Sequence, residues 1–470
     1  MSATPGKHTP GSPRHLTDRE LRIAIYSSNF FNEDGVTLTC RRILSFVKKQ
    51  GGEVRILTTV PSEAARRSDR TVSEHEIIQI PAMDFPMPSY NPPGEQDTTE
   101  REHEGYVVGK MLGQRAMALL NDFDPNIMHI TCPDGGALAA ISWAGRHNVP
   151  CLATWHSNFH TYTQFYPVPS VTTPIMRCWL WFFYLQVPLV LVPTAPLRLE
   201  LASELGFNPQ RMGVWGRGIN AEIFSPERRS AEFRAKHGVG EDDILLCWSS
   251  RIVVEKRFDI FAEIVRRLVA EGLRVHTLIA GKAVDDLGRK ELKQVRNSLP
   301  NVHFVGWIEA NELAVVLASS DALLFPSGVE TFGNVTLEAM ASGLPCIVDH
   351  TSGSHLVEDG VHGFTVPSGD LEGFYRATRK LCGPDGKALR ERMGRAGRKR
   401  AVDLYDSAAN TRAMVNHYKA VNAKESRAVR KHSLRWIIID MFANVVLALF
   451  IAGSYFVRKG IALYLLIAGK

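Results

Sequence analysis

The sequence predicts an α/β protein built as two doubly wound domains that face each other across a cleft, followed by a C-terminal apolar, membrane-associated helix. Three observations carry this. Two series of short apolar runs alternate with helical stretches, which is the pattern of parallel sheets wrapped by helices. A polar interval at 216–240 separates the two series. A final apolar run at 441–457 has the composition of neither. With 470 residues, 45% of them hydrophobic, the chain has material for two or three cores.

Residues 1–20, MSATPGKHTPGSPRHLTDRE, are rich in Ser, Thr, Pro and charge. They lack the apolar run of a signal peptide, so a disordered leader and a cytosolic catalytic body are expected. The first domain is expected over 21–215. LRIAIYSS (21–28) reads as a buried strand, NFFNEDGVT (29–37) as a loop, and LTCRRILSFVKKQ as the helix that follows. GGEVRILTTV (51–60), PNIMHI (125–130), PCLATWH (150–156) and VPLVLVPT (187–194) repeat the strand theme. MRCWLWFFYL (176–185) reads either as an acceptor or membrane contact or as a buried helix.

After the junction at 216–240, the second domain is expected over 241–423. DILLCWSSRIV (243–253) is a strand running into a basic loop. FDIFAEIVRRLVAEG (258–272) has apolar residues at helical spacing and closes on Gly272. VHTLIAG (275–281), VHFVGW (302–307), DALLFPS (321–327), LPCIVD (344–349) and GFTVP (363–367) are further strands. In open parallel sheets ligands lie at the carboxyl ends of strands, and each motif below follows one.

The tail, 424–470, begins with KESRAVRKHSLR, whose Lys424, Arg427, Arg430, Lys431 and Arg435 face a single Glu425. MFANVVLALFIAGSYFV follows, apolar over about 17 residues, the short limit for a spanning helix. Cations beside such a run favour the anionic, cytosolic side of a bilayer. A single span, a re-entrant hairpin, an interfacial helix and a buried core helix all fit this pattern. The net charge of +6 is too weak to argue for nucleic acid, and none is expected as a partner; it suits an anionic ligand or an acidic membrane surface. The seven cysteines show neither metal-ligand nor CxxC spacing and read as small apolar core residues.

The stretch GVETFGNVTLEAMASGLP (328–345) places Glu330 on a loop and Glu338 inside the helix after it. Phe332, Gly333 and Asn334 form the turn between them. The turn leaves backbone amides at the helix start, where the dipole suits a diphosphate or a sugar hydroxyl. Glu338, a turn inside, can accept hydrogen bonds from the two hydroxyls of a ribose, and Glu330 can meet the sugar. Two glutamates alone would equally suit a solvated surface. WSSRIVVEKRF (248–258) adds Arg251 and, five residues later, Lys256. Two cations converging on a leaving diphosphate would stabilise the charge that develops as the glycosidic bond breaks. Gly35, between strand and helix, permits close backbone approach to donor phosphates or acceptor, or is a plain turn glycine. His156 ends an apolar strand in TWHSNFH; a neutral imidazole there can donate to a sugar hydroxyl, or be a satisfied core histidine. Its H-x-x-x-H spacing with His160 lacks the glutamate of a zinc-binding helix, so no metal is expected. Arg217, in GRGIN (216–220), can face donor or acceptor.

Taken together, these residues resemble the retaining glycosyltransferases of family 4, with the GT-B fold of two Rossmann-like domains. The resemblance spans most of residues 20 to 420. Its motifs are the loop at Gly35, the histidine of TWHSNFH, WGRGIN-x-x-x-F-x-P (215–226), the Arg251 and Lys256 pair, and P-S-x-x-E-T-F-G-x-x-x-L-E-A-M-A-x-G-x-P. Within the family the chain looks like the sulfolipid-synthase type, which moves a sugar from a UDP-sugar to diacylglycerol; lipid mannosyltransferases using GDP-mannose share the layout. The resemblance implies that Arg251 and Lys256 neutralise the donor diphosphate, that Glu338 binds the ribose and that Glu330 and the amides after it hold the sugar. It also implies that His156 contacts the sugar near its reacting face, that neither metal nor cofactor is needed, and that the acceptor attacks from the front face. The chain departs from the family in having Asn-Glu-Asp-Gly-Val at the first loop, which puts Glu33 and Asp34 near the phosphate side. A nucleotide-sugar epimerase or phosphorylase on the same fold, and a non-catalytic membrane-anchored binding protein, are the competing readings.

Overall fold

The computed structural model describes residues 16–31, 35–59, 72–84, 107–162, 164–165, 170–283 and 286–425. The first half is a seven-stranded sheet of β1 (Arg22–Tyr26), β2 (Glu53–Thr59), β3 (Ile77–Ile80), β6 (Ile127–Ile130), β7 (Cys151–Thr154), β8 (Val190–Val192) and β9 (Met212–Val214). A small antiparallel pair, β4 (Ala82–Asp84) and β5 (Val107–Gly109), sits beside it. The sheet order is β3-β2-β1-β6-β7-β8-β9, all parallel, with Ile23 opposite Val54 on one side and Ile127 on the other. Helices α1 (Gly35–Lys49), α2 (Gln114–Phe123), α3 (Gly135–Arg146), α4 (Thr172–Leu185) and α5 (Ala195–Leu205) wrap it. Sequence reading finds the strands flanked by helices on both faces, whose runs are continuously apolar. It does not find β3, β4 or β5, which are short and mixed in character.

The second half is a six-stranded parallel sheet in the order β12-β11-β10-β13-β14-β15. Its strands are β10 (Ile244–Ser249), β11 (Val275–Ala280), β12 (Val302–Gly306), β13 (Ala322–Phe325), β14 (Cys346–Asp349) and β15 (Gly363–Val366). The longer helices are α6 (Phe258–Ala270), α7 (Asp286–Ser298), α8 (Ala310–Ser319), α9 (Asn334–Ala341), α10 (Leu371–Cys382) and α11 (Gly386–Leu404). All six residues of β10 and of β11 are buried, as strands covered on two faces require. α6 turns Phe258, Phe261, Ile264, Val265 and Leu268 inward, and Trp248 packs edge-on against Phe258, Phe261 and Phe325 at the core's centre.

The last described helix, α12 (Ser407–Glu425), does not follow the division at residue 423 that composition suggests. Its Met414, Val415, Tyr418 and Val421 are buried in the first half's core, with Ile23, Ile25, Leu152 and Leu191. These four residues form one stripe at helical spacing, and their burial stabilises the docking by roughly 6–12 kcal/mol as an upper estimate. Lys419 pairs with Asp18, and Asn422 donates to the carbonyl of Asn126 (3.2 Å), so the far end of the helix is fixed to the first half as well. The expected apolar anchor at 441–457 lies outside the described residues, as do most of the leader and Glu33 and Asp34. Among the described residues no helix is long and apolar enough to cross a membrane. All seven cysteines are free thiols; Cys178 is exposed rather than in the core.

Candidate active site

Each sheet reverses its strand order once, between β1 and β6 in the first half and between β10 and β13 in the second. A crevice opens at the carboxyl ends of strands at such a point. In the second half this brings together the loop after β10, which carries Arg251 and Lys256, and the loop after β13, which carries Glu330. Lys256 donates to the Glu330 carboxylate (2.5 Å) and to the Val329 carbonyl (3.2 Å). The pair is mostly buried. Ser327 donates to the same carboxylate oxygen (3.3 Å). Arg251 is half-buried on the same loop, just ahead of Ile252, whose amide is tied to the Lys282 carbonyl (2.9 Å).

Gly333 caps α9 with φ of +88°, a conformation open to glycine, and so aims the helix start at the cleft. Phe332 has its ring buried beside His355 and Tyr405, so only its main chain is left for a ligand. The start of α1 meets the start of α9. A Cβ on Gly35 would lie 2.7 Å from the Asn334 side-chain nitrogen, which places two positive helix ends at one spot. The crevice beside them is lined by Gly35, Thr39, Arg42, Gly218, Asn334 and Glu338, among others. Burial pushes the Glu338 carboxyl up to about 7, and the opposing pull of Arg42 only moderates this. Arg42 donates to the Gly218 carbonyl (2.7 Å).

His156 does not project free into the cleft. Arg217 donates to its Nδ1 (2.6 Å), and its Nε2 lies 2.7 Å from Thr154 Oγ1. Thr154 Oγ1 also meets His129 Nε2 (2.9 Å), and His129 Nδ1 meets the Tyr418 hydroxyl (2.8 Å). A guanidinium only donates, so Nδ1 of His156 accepts and its proton sits on Nε2. Thr154 then receives that proton's bond and gives its own hydroxyl to His129, which gives to Tyr418. Burial, with the Arg217 charge second, holds His156 well below the ordinary histidine range and takes His129 down to about 3. Both rings are therefore neutral, as this chain of bonds requires. With both nitrogens occupied, His156 cannot donate to a sugar hydroxyl without giving up Thr154. Its peptide carbonyl instead accepts from Thr331 (3.2 Å), joining the two halves next to Glu330.

His160 belongs elsewhere. It lies 3.9 Å from Glu204, with Glu200 beside it, and Arg177 already pairs with Glu204 at 3.1 Å. Sequence reasoning missed Arg42, Thr154, His129 and Tyr418. A histidine inside the apolar strand PNIMHI was a usable signal for His129, because a buried polar ring needs partners. Nothing in the spacing pointed to Arg42 or Tyr418.

Residues 34–223 match the family described as Glycosyltransferase Family 4, and residues 243–383 match Glycosyl transferases group 1. The sulfoquinovosyl transferase SQD2 of Arabidopsis thaliana is 25% identical over 90% of this chain and 78% of its own length. A GDP-mannose-dependent alpha-mannosyltransferase of Mycobacterium tuberculosis is 24% identical over 75% of this chain and 85% of its own. The alpha-monoglucosyldiacylglycerol synthase of Streptococcus pneumoniae is 25% identical over 70% of each chain. Among solved structures, the sucrose-phosphate synthase of Thermosynechococcus elongatus superposes with a TM-score of 0.66 at 18% identity, over 86% of this chain and 100% of its own. Two matched domains, two facing parallel sheets and a charged pair at the second switch point lead to one family: this chain is a family 4 glycosyltransferase of GT-B fold.

Proposed function

We propose that this chain is a retaining, metal-independent glycosyltransferase that moves a sugar from a UDP-sugar to a membrane lipid such as diacylglycerol. Transfer of a sugar from a nucleotide sugar to an acceptor follows from its family; the proposal concerns donor, acceptor and stereochemistry. The observation that carries it is the Lys256–Glu330 pair, buried at the second switch point beside the start of α9. Donor binding brings a diphosphate to Lys256, Arg251 and the amides of α9, and frees Glu330 to take hydroxyls of the sugar. As the bond from the anomeric carbon to the phosphate oxygen breaks, those cations and amides meet the growing charge. The acceptor oxygen bonds to the same face, and its proton passes to the leaving phosphate. Glu338 binds the ribose as a carboxylate.

The lipid acceptor is supported by the name of the glucosyldiacylglycerol synthase relative. It is also supported by the basic segment 424–435 ahead of an apolar run, which suits an anionic membrane surface and an anchor there. On α4, Ile175 and Trp181 are exposed, leaving an apolar face toward solvent. GDP-mannose is the second donor reading, and the mannosyltransferase relative favours it. The test is a screen of UDP-glucose, UDP-glucuronate, UDP-sulfoquinovose and GDP-mannose against lipid extracts, with products read by mass spectrometry and their linkage by NMR. An α-linked glycolipid from a UDP-sugar, formed in the presence of EDTA, is expected. A product of inverted linkage, activity lost with EDTA, or transfer to water-soluble acceptors alone would each remove the corresponding part of the proposal.

A further inference from the structure

A second crevice adjoins the one that holds Glu338 and shares Thr39, Arg42 and Gly218 with it. It is lined by Thr39, Arg42, Trp215, Arg217, Ser407 and Asn410, with Ile43, Gly218 and Thr411 completing it. No aspartate or glutamate lines it. Arg217 is almost wholly buried, yet among the described residues its side chain makes no ion pair. One of its nitrogens is used on His156, a neutral acceptor, and the guanidinium lies 5.3 Å from the Trp215 ring centre. Arg42 reaches the same crevice, spends a nitrogen on the Gly218 carbonyl, and also makes no ion pair among the described residues. Two like charges withdrawn from water into one crevice repel each other and forfeit solvation. Glu338 draws on Arg42 from the neighbouring crevice, but no carboxylate acts on Arg217, so an anion joining the two would relieve their repulsion.

We propose that the Arg42–Arg217 crevice is an oxyanion-binding subsite, separate from the donor diphosphate site, that takes a phosphate, sulfonate or carboxylate group. Guanidinium forks match the geometry of such groups, and the Trp215 face and the neutral His156 hold Arg217 in place without neutralising it. The anion has three sources of the same chemistry: an acid group on the donor sugar, a phosphate on the acceptor, or a free ion. The first two rest on the transferase reading, while the crevice itself does not.

The test is calorimetric titration of full-length protein, saturated with UDP, by inorganic phosphate. Wild type is expected to bind one phosphate per chain. Arg217→Gln is expected to weaken phosphate at least about tenfold, as loss of a charged hydrogen bond does, and UDP by less than about twofold; Arg42→Gln should weaken phosphate by a similar factor and UDP as well, since Arg42 also draws Glu338 toward its ionised form. Arg217→Lys should recover part of the phosphate affinity; circular dichroism checks that each variant folds. Paired titrations then identify the source. Arg217→Gln should erase a preference for UDP-glucuronate over UDP-glucose, or for glycerol 3-phosphate over glycerol; if it erases neither while phosphate binding is lost, the free ion is the ligand. Failure of UDP-saturated wild type to bind phosphate, or an equal loss of UDP and phosphate in Arg217→Gln, overturns the subsite. Failure of wild type to bind UDP at all strikes the donor reading instead, and phosphate binding to the nucleotide-free protein then still tests the crevice.

Discussion

The two sides of the cleft handle buried charge in opposite ways. In the second half a cation meets an anion directly, Lys256 on Glu330. In the first half a cation, Arg217, meets a row of neutral groups, His156, Thr154, His129 and Tyr418, whose bonds all run in one direction. An ion pair can exchange partners when a charged ligand arrives, since each member gains as much from the ligand as from its mate. A row of neutral hydrogen bonds cannot, because moving one member leaves its neighbours unpaired in a dry interior. The second half's pair can thus change partners when a charged group arrives, and the first half's row is held to one shape.

The sharpest way to break this contrast is Lys256→Ala. Turnover is expected to fall by about 10²–10³-fold, the scale of removing one group that stabilises transition-state charge, with the circular dichroism spectrum unchanged. Turnover near wild type would show that the pair is ornamental.

Glu338 tests the second half through pH. Its carboxyl, raised from an ordinary 4.5 to about 7 by burial, is protonated in the empty protein below neutrality. A ribose donates its hydroxyls best to the ionised form. UDP affinity should therefore rise as pH climbs toward 7 and level off above it, with a proton released on binding at pH 6. Calorimetry in buffers of different ionisation heat reads that proton; Glu338→Gln should weaken UDP by about tenfold and flatten the profile. The linked effect on folding has the opposite slope. The raised value gives stability that is full below 4.5 and lost as pH rises through 7, up to roughly 3 kcal/mol in the empty protein.

Thr154→Val probes the first half. It removes the middle of the row and leaves two buried imidazole nitrogens without a partner, so stability should fall by about 1–3 kcal/mol in denaturant titration. Thr154→Ser should restore most of it, and a silent Thr154→Val would mean the row is not cooperative. The smallest effect is expected at Gly35→Ala. The new methyl meets the end of the Asn334 side chain, which can swing aside, so stability should change by less than about 1 kcal/mol. UDP affinity should still drop a few-fold, because the two helix starts would no longer meet.

The contrast also explains what was legible in the sequence. Arg251, Lys256 and Glu330 come directly after apolar strands and Glu338 lies in the helix that follows the second of these loops, so all four could be picked out by position along the chain. The first half's row draws Tyr418, Arg217, Thr154 and His129 from four distant places, and only folding sets them side by side. His156 stands just past a strand end, as its position in the sequence suggested, but its partners fill the valences that a sugar contact would need. The inward stripe of α12 follows helical spacing; spacing says that a helix has an inner face and not which core receives it.

That destination has a mechanical outcome. The backbone passes between the halves at 216–220 and again at 405–407, and the Ile219 and Asp406 segments are stitched together there by paired amides and carbonyls. A Cβ on Gly218 would come within 2.5 Å of the Ser407 backbone, so these two ribbons lie in direct contact. Relative motion of the halves must bend both ribbons along one line, which permits a swing and resists a slide. Because α12 is packed into the first half, it belongs to that half in any such swing, on the opposite side of the hinge from the loops that carry Lys256 and Glu330.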